Sequence, residues 1–450
     1  METKTRIFAA SFCAVILLLY IWGVSHWLTS TAVTVVVPPP TTSQTDTNST
    51  EQQVIQALQQ QNASPSYPLT AEFLQFCEAQ SPGLCQTMLQ RLQQNLVYQD
   101  AWFYEISKKT LHYYSTLYQQ PLADNVHQTE QTTLPVTLAF TGDVNFADDW
   151  YNMQHYATTN GISDCFGASL LKQMHDADIL LCNNEFAFSD RGTPMAGKQF
   201  TFRSKTANVS MWQELGVDLV GLANNHCYDY GTDAFYDTLT TLQDADIPYV
   251  GAGQNLEEAM RPQFFLAGGM KIGYIACTRA EKYILTPEAT QGSPGVLRCY
   301  DPTLAVQAIE AAKAQCDYLV VYVHWGTEES TVLEQAQIDL AGAFQQAGAD
   351  LIVGAHPHIL QGAGWREDTP VVYSLGNFWF NMQSQDTALL NVTLLGPNAS
   401  DALVQIVPCR QSNGKTTLLE SASDKQRVLN HLNSIMESGY FDESGILHKD

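Results

Sequence analysis

The sequence predicts an α/β fold on two observations. Six short apolar runs each end at a carboxylate, amide or imidazole: VTLAFTGDVN (136–145), DADILLCNNE (176–185), VDLVGLANNH (217–226), CDYLVVYVHWGTE (316–328), ADLIVGAHPH (349–358) and PVVYSLGNF (370–378). Rich in β-branched residues and lacking polar alternation, they read as strands covered on both faces. Helix-period segments lie between several of them, and alternation of strand and helix from Leu134 to about Val407 is the pattern of an α/β domain. In open α/β sheets ligands collect beyond the carboxyl ends of the strands. The runs therefore carry Asp143, Asn145, Glu185, Asn225, His226, His324, His356 and His358 toward one edge.

Taken in chain order, residues 1–6 contain Lys4 and Arg6 and precede an apolar stretch over 7–27. That stretch is long enough to cross a bilayer. No A-x-A cleavage site follows it, which favours a retained signal anchor over a cleaved signal. The basic flank places residues 1–6 in the cytoplasm and the rest of the chain outside, as a single-pass protein of the cell membrane. Residues 28–65 are rich in Pro, Thr, Ser and Gln and read as an extended tether. Over 66–120 the pattern turns helical: Thr70 precedes Phe73, Leu74 and Cys77, and Leu84, Met88, Leu92 and Leu96 recur every fourth position. This predicts a small helical unit. A polar linker over 121–133 leads into the main domain, 134–410.

Within that domain Asp301-Pro302 opens a helix marked by Leu304, Ile309 and Ala312. A second helix is predicted from about Val332 to Ala347, closed by Gly348. Residues 411–450 read as a polar tail with one helix over Asp424–Glu437.

The chain has 450 residues, 45% of them hydrophobic, and a formal charge of −24. There is ample material for a large core. The charge excludes nucleic acid as a partner, because no basic stripe is present to displace counterions from phosphates. It also disfavours docking on an anionic membrane surface. Ten cysteines occur without a C-x-x-C pair. Cys182, Cys277 and Cys316 sit in or beside apolar strands, where a thiol acts as a small hydrophobe. Cys77 and Cys85 are placed where they could bridge, and sequence alone does not fix the pairing.

Mixed Asp, Glu, Asn and His at strand ends point to a metal site for Mn, Fe or Zn, since oxygen and imidazole ligands suit hard and borderline cations. In H-P-H at 356–358 an extended backbone would turn both rings to the same side.

The blocks GDVN (142–145), NNE (183–185), FTFRSK (200–205), ANNHCYDYG (223–231), HWGTE (324–328), GAHPH (354–358) and SLGNF (374–378) occur in family order. Through them residues 137–410 resemble the bacterial capsule-synthesis CapA family of poly-γ-glutamate biosynthesis. The resemblance implies a calcineurin-like metallophosphatase fold, a four-layer α/β/β/α sandwich with two divalent metal ions at the strand ends. It implies that Asp143 binds the first metal and Glu185 bridges. Asn225 and His324 would bind the second metal with His356 beside them, and His358 would return to the first. His226 resembles the superfamily's histidine that protonates or orients a leaving group, with Asp229 fixing its tautomer. Arg203 is a candidate clamp for an anionic substrate group, or a surface ion pair. Asn145 stands where the superfamily has histidine, a poorer ligand for the first metal. Asn183 is either beside the metals or a turn residue.

The expected activity is metal-dependent hydrolysis or transfer at an ester, amide or phosphoryl centre in capsule or poly-γ-glutamate synthesis, attachment or release. The expected partners are an anionic exopolymer or its precursor, the membrane through the N-terminal helix, and other capsule-synthesis membrane proteins. Two other readings stand beside it: a non-catalytic polymer-binding or export component on the same fold, and a general extracellular metallophosphoesterase.

Overall fold

The computed structural model describes residues 123–131, 133–280 and 285–450, with Gln53, Val54, Leu74, Gln75 and Glu78 in addition. The predicted anchor and tether, the helical unit and the Cys77/Cys85 pair lie outside the described residues, apart from those five positions. Among the described residues no helix is long and apolar enough to cross a membrane.

The chain runs through β1 (Val126–Gln128), β2 (Val136–Val144), α1 (Ala168–His175) and β3 (Ile179–Asn184). It continues with β4 (Leu219–Gly221), α2 (Gly231–Asp244), β5 (Tyr249–Val250), β6 (Gln263–Ala267) and β7 (Met270–Thr278). Next come α3 (Thr303–Lys313), β8 (Tyr318–His324), α4 (Gln335–Gln346), β9 (Leu351–Ala355), β10 (Ala363–Arg366) and β11 (Thr369–Val372). The last elements are β12 (Asn377–Trp379), β13 (Gln385–Leu394), β14 (Ala402–Ser412), β15 (Lys415–Leu418) and α5 (Ala422–Ser434).

These strands make two mixed sheets, so the α/β class read from the sequence holds. One sheet has the order β15-β14-β13-β2-β3-β4-β5, with β12 also paired to β2; the other has the order β1-β6-β7-β8-β9-β11-β10. Their faces are set by strand alternation. Leu138 and Phe140 of β2 join Val320 and Tyr322 of β8 in a core between the sheets. Their neighbours point the other way. Ala139, Leu180 and Val220 pack under Leu170 and Met174 of α1 and Phe235 and Leu239 of α2. Leu319, Val321 and Val323 pack under Ile309 of α3 and Phe344 of α4. Helices thus cover the outer face of each sheet, and strands buried on both faces account for the unbroken apolar runs.

Local signals explain the helix ends. Asp301 Oδ1 accepts from the Thr303 amide at 3.0 Å and caps α3. α4 begins at Gln335 rather than near Val332, because Glu334 and Gln337 form a reciprocal capping box there. Gly348 follows α4 with φ +109°, a backbone that glycine adopts freely.

Two expectations are corrected. The polar segment 121–133 contains β1, which pairs parallel with β6 (Val126 opposite Phe264) and edges the second sheet. Segment 411–450 is part of the fold rather than a tail. β14 extends to Ser412, β15 pairs with it, and α5 covers Ala422–Ser434. Val428, Leu429 and Leu432 of α5, with Phe441 and Leu447, enter the core between the sheets. A mostly polar helix carrying one narrow apolar stripe is enough to close the open side of a sandwich. Asp386 of β13 ties this segment down, with Arg427 at 2.5 Å and Arg410 at 2.9 Å.

Truncating Leu432 to alanine is expected to cost about 2–5 kcal/mol in the same denaturant transition as the whole domain. An unchanged midpoint would mean that α5 folds apart from the sandwich. A second expectation concerns acid. Burial raises the Asp386 carboxyl, but its bonds to Arg427 and Arg410 outweigh that and hold it below the usual range. Its stabilisation is therefore present above the unfolded pKa of about 3.9 and is lost as pH falls through the lower folded value. Asp386→Asn should flatten the acid limb of the stability–pH curve below about pH 4.

Candidate metal centre

The parallel strands β2, β3 and β4 of one sheet and β8 and β9 of the other end on the same side of the molecule. Register aligns their last residues: Asp143 lies opposite Asn183 and Asn377, and His324 lies opposite Ala355, just before His356. Glycines let the segments approach. A Cβ on Gly142 would sit 1.9 Å from the Gly376 carbonyl oxygen, and one on Gly354 would sit 2.0 Å from that of Tyr373. Across the first contact the Asp143 amide donates to Gly376 O at 3.0 Å. The GDVN, GAHPH and SLGNF blocks each keep a glycine for this closeness.

The carboxylates and imidazoles converge without reaching solvent: Asp143, Glu185, Asn225, His226, Asp229, His324 and His356 are all buried, and the His358 side chain is 12% exposed. Glu185 Oε1 is a buried oxygen with no hydrogen-bond partner. Three imidazole Nε2 atoms surround it: His324 at 3.6 Å, His358 at 3.8 Å and His226 at 3.9 Å. Asp143 reaches His358 Nδ1 at 3.2 Å through Oδ2 and His324 Nδ1 at 4.0 Å through Oδ1. Asn225 Oδ1 lies 2.8 Å from His324 Nε2, which lies 3.1 Å from His356 Nδ1. Two groups have ligand atoms within 4.8 Å of one another: Asp143, Glu185 and His324, and Glu185, His356 and His358.

The charges fit a cation. Burial pushes the Glu185 carboxyl well up, and the neighbouring Asp143 charge adds to it. Burial acts in the same sense on Asp143, but its bond to His358 and the imidazole charges outweigh that and hold it low. Two adjacent buried carboxyls thus divide, one ionised and one driven to keep a proton. Burial also lowers His324 far below the usual imidazole range and His356 to about 3, with neighbouring imidazole charge reinforcing it. For His358 burial again opposes the proton, yet the Asp143 bond and charge outweigh it and raise the group. The imidazoles of His324 and His356, beside a carboxyl oxygen with no hydrogen-bond partner, are donors of the kind that bind a divalent ion once that carboxyl gives up its proton.

Asp143, Glu185, Asn225, His324, His356 and His358 are thus brought together. Asn145 Oδ1 accepts from the Ala147 amide at 2.7 Å in the turn after β2. The H-P-H segment is not extended, since His356 has φ +98° and His358 φ +60°. Their rings nonetheless stay 5.9 Å apart, so the left-handed backbone does what an extended one was expected to do. His226 Nδ1 lies 2.7 Å from Asp229 Oδ2, as the sequence predicts. Arg203 lies over the Tyr230 ring at 4.4 Å and donates to the carbonyls of Arg191 (2.9 Å) and Gly192 (3.3 Å).

Asn183 proves to be central, donating through Nδ2 to Asp143 Oδ1 at 2.8 Å and to Glu185 Oε2 at 3.1 Å. Asn377, inside SLGNF but not singled out, meets His358 Nδ1 through Oδ1 at 2.9 Å. Asn224 orders the next turn, donating to Asn183 Oδ1 at 3.1 Å and accepting from the His226 amide at 3.0 Å. Lys198 was also missed: its Nζ pairs with Asp229 Oδ1 at 2.6 Å and bonds the Asn225 carbonyl. A single lysine in a polar loop gives no signal in sequence. The described cysteines are free thiols, with Cys182 and Cys277 buried as expected and Cys316 partly so.

Comparison with known proteins gives a consistent result. The family model described as bacterial capsule synthesis protein PGA_cap matches residues 137–382. The capsule biosynthesis protein CapA of Bacillus anthracis is 33% identical over 250 residues, which are 54% of this chain and 60% of that protein. The PGA biosynthesis protein CapA of Bacillus subtilis is 32% identical over 203 residues, 44% of this chain and 53% of that protein. The match therefore spans little more than half the length of these relatives. A 5'-nucleotidase from Candida albicans superimposes at 13% identity over 62% of this chain and 53% of that one, and its TM-score of 0.34 carries no argument.

If the cluster binds metal, Mn²⁺ or Zn²⁺ at a hundredfold excess over its Kd should raise stability by about 2.7 kcal/mol. Glu185→Gln should abolish most of that gain, as read by thermal melts with and without chelator. An equal gain in the variant would remove Glu185 from the ligand set.

Proposed function

Because the chain belongs to the bacterial capsule synthesis family, we propose that it is a metal-dependent hydrolase or transferase acting on capsule polymer. The polymer we name is poly-γ-glutamate or its precursor, held outside the cell by a catalytic domain of calcineurin-like type tethered through residues 7–27. The printed names of its Bacillus relatives, capsule biosynthesis and PGA biosynthesis proteins, support the polymer. One observation carries the chemistry: Glu185 Oε1, buried and unpartnered, faces three imidazole nitrogens.

Asp143, Glu185, Asn225, His324, His356 and His358 would hold the metal, of which we expect two ions. Bound there, divalent ions lower the pKa of a water and stabilise charge on the reacting oxygens. The remaining work falls to the chain. His226 keeps Nδ1 on Asp229, which leaves Nε2 as the atom that holds or gives a proton on the Glu185 side. Phe202, with its ring 4.4 Å from that imidazole, shields it from water. Arg203 stands ready to bind an anionic substrate group if it exchanges a carbonyl for a carboxylate.

A second reading, a polymer-binding component without turnover, draws support from Asn145. With its Oδ1 engaged by Ala147, the first metal position has one donor fewer than the superfamily pattern.

The test is turnover of poly-γ-glutamate and of bis-p-nitrophenyl phosphate by the full chain in detergent with Mn²⁺ or Zn²⁺. His226→Ala should lower kcat by about 10²–10⁴-fold while metal content stays constant. Bound metal with no turnover of either substrate would favour the second reading, and absence of bound metal would overturn the first.

A further inference from the structure

Lys198 is buried to 3% side-chain exposure and Asp229 to 0%. Burying an ion pair costs several kcal/mol per ion in lost hydration and seldom adds net stability. A pair kept in such a place calls for a role beyond holding the fold, and its contacts indicate one. Asp229 receives three donors: Lys198 Nζ on Oδ1 at 2.6 Å, and on Oδ2 the Phe202 amide and His226 Nδ1, each at 2.7 Å. A carboxylate so surrounded acts only as an acceptor, so the proton of the third bond belongs to His226 Nδ1. His226 Nε2 is then the nitrogen without that proton, 3.9 Å from Glu185 Oε1.

The same ammonium bonds the backbone carbonyl of Asn225, the residue just before His226, whose side chain reaches His324. Lys198 therefore touches the carboxylate behind the imidazole and the peptide that carries a ligand amide. The loop bearing it is fastened to the same place: the Met195 amide donates to the Asp229 carbonyl at 2.8 Å. Gly192 lies where a Cβ would come 2.5 Å from the Tyr230 carbonyl.

We propose that Lys198 is a positioning residue that, through Asp229 and the Asn225 carbonyl, fixes the tautomer and place of His226 beside the metal cluster. This rests on the role given to His226 above. It requires neither metal nor turnover to be read.

The experiment is ¹⁵N NMR of the histidine rings in the full, metal-free chain, with the His226 signals assigned by loss in His226→Ala. In the parent protein His226 should be the Nδ1–H tautomer. Lys198→Met and Lys198→Gln, the latter keeping a donor for the Asn225 carbonyl, should both give a mixture of tautomers, and Lys198→Arg should restore a single one. In the Zn²⁺-loaded protein, kcat for bis-p-nitrophenyl phosphate should fall about 10–100-fold in Lys198→Gln, with KM unchanged. A sole Nδ1–H tautomer in the folded Lys198→Gln protein overturns the proposal, even if the parent turns over substrate. If Lys198→Met alone fails to fold, Lys198→Gln and Lys198→Arg decide it. A parent protein without turnover but with the tautomer shift would sink the enzymatic reading and leave this one standing.

Discussion

The constraint on which the rest depends is the meeting of two buried carboxyls, Asp143 and Glu185. Like charges there cannot both ionise unaided, and the chain divides them: His358 pairs with Asp143, while burial and the Asp143 charge drive Glu185, whose Oε1 has no hydrogen-bond partner, toward its protonated form. Burying two adjacent carboxyls away from water is expensive, and a divalent cation between them would offset that cost. Two sheets bring their strand ends to a common edge, and that edge gathers these donors.

Outside the cluster, the surroundings act to limit freedom. Asn183 bridges both carboxyls, Asn224 orders the turn behind it, and Asn377 holds His358 from the far side. None brings charge. Neutral amides with fixed donors can orient ligands without competing for the cation, and three of them recur in one small volume. Lys198 supplies a positive charge behind His226, paired with Asp229.

Much of this was legible beforehand because strand-end chemistry is local in sequence. Apolar runs buried on both faces read plainly, and the ligands stand at their ends. What escaped notice lacked local contrast. β1 is short and polar (VHQ), and only its pairing with β6 makes it a strand. α5 carries few apolar residues, and their value depends on an opening between sheets that sequence does not display. The H-P-H rings met for a reason other than the expected one, since alternation governs only extended backbone and both histidines here have positive φ. The anchor and the helical unit were read from composition and periodicity, and fall outside the described residues.

The near-contact of Gly142 with the Gly376 carbonyl has a temporal consequence. Peptide from an early strand and peptide from a late one must interlock before the donors can face each other. During synthesis β2 to β5 emerge long before His324, His356 and Gly376, so Asp143 and Glu185 stand apart from their imidazole neighbours until the later strands arrive. The candidate donor cluster is thus complete only once early and late strands of the domain have met.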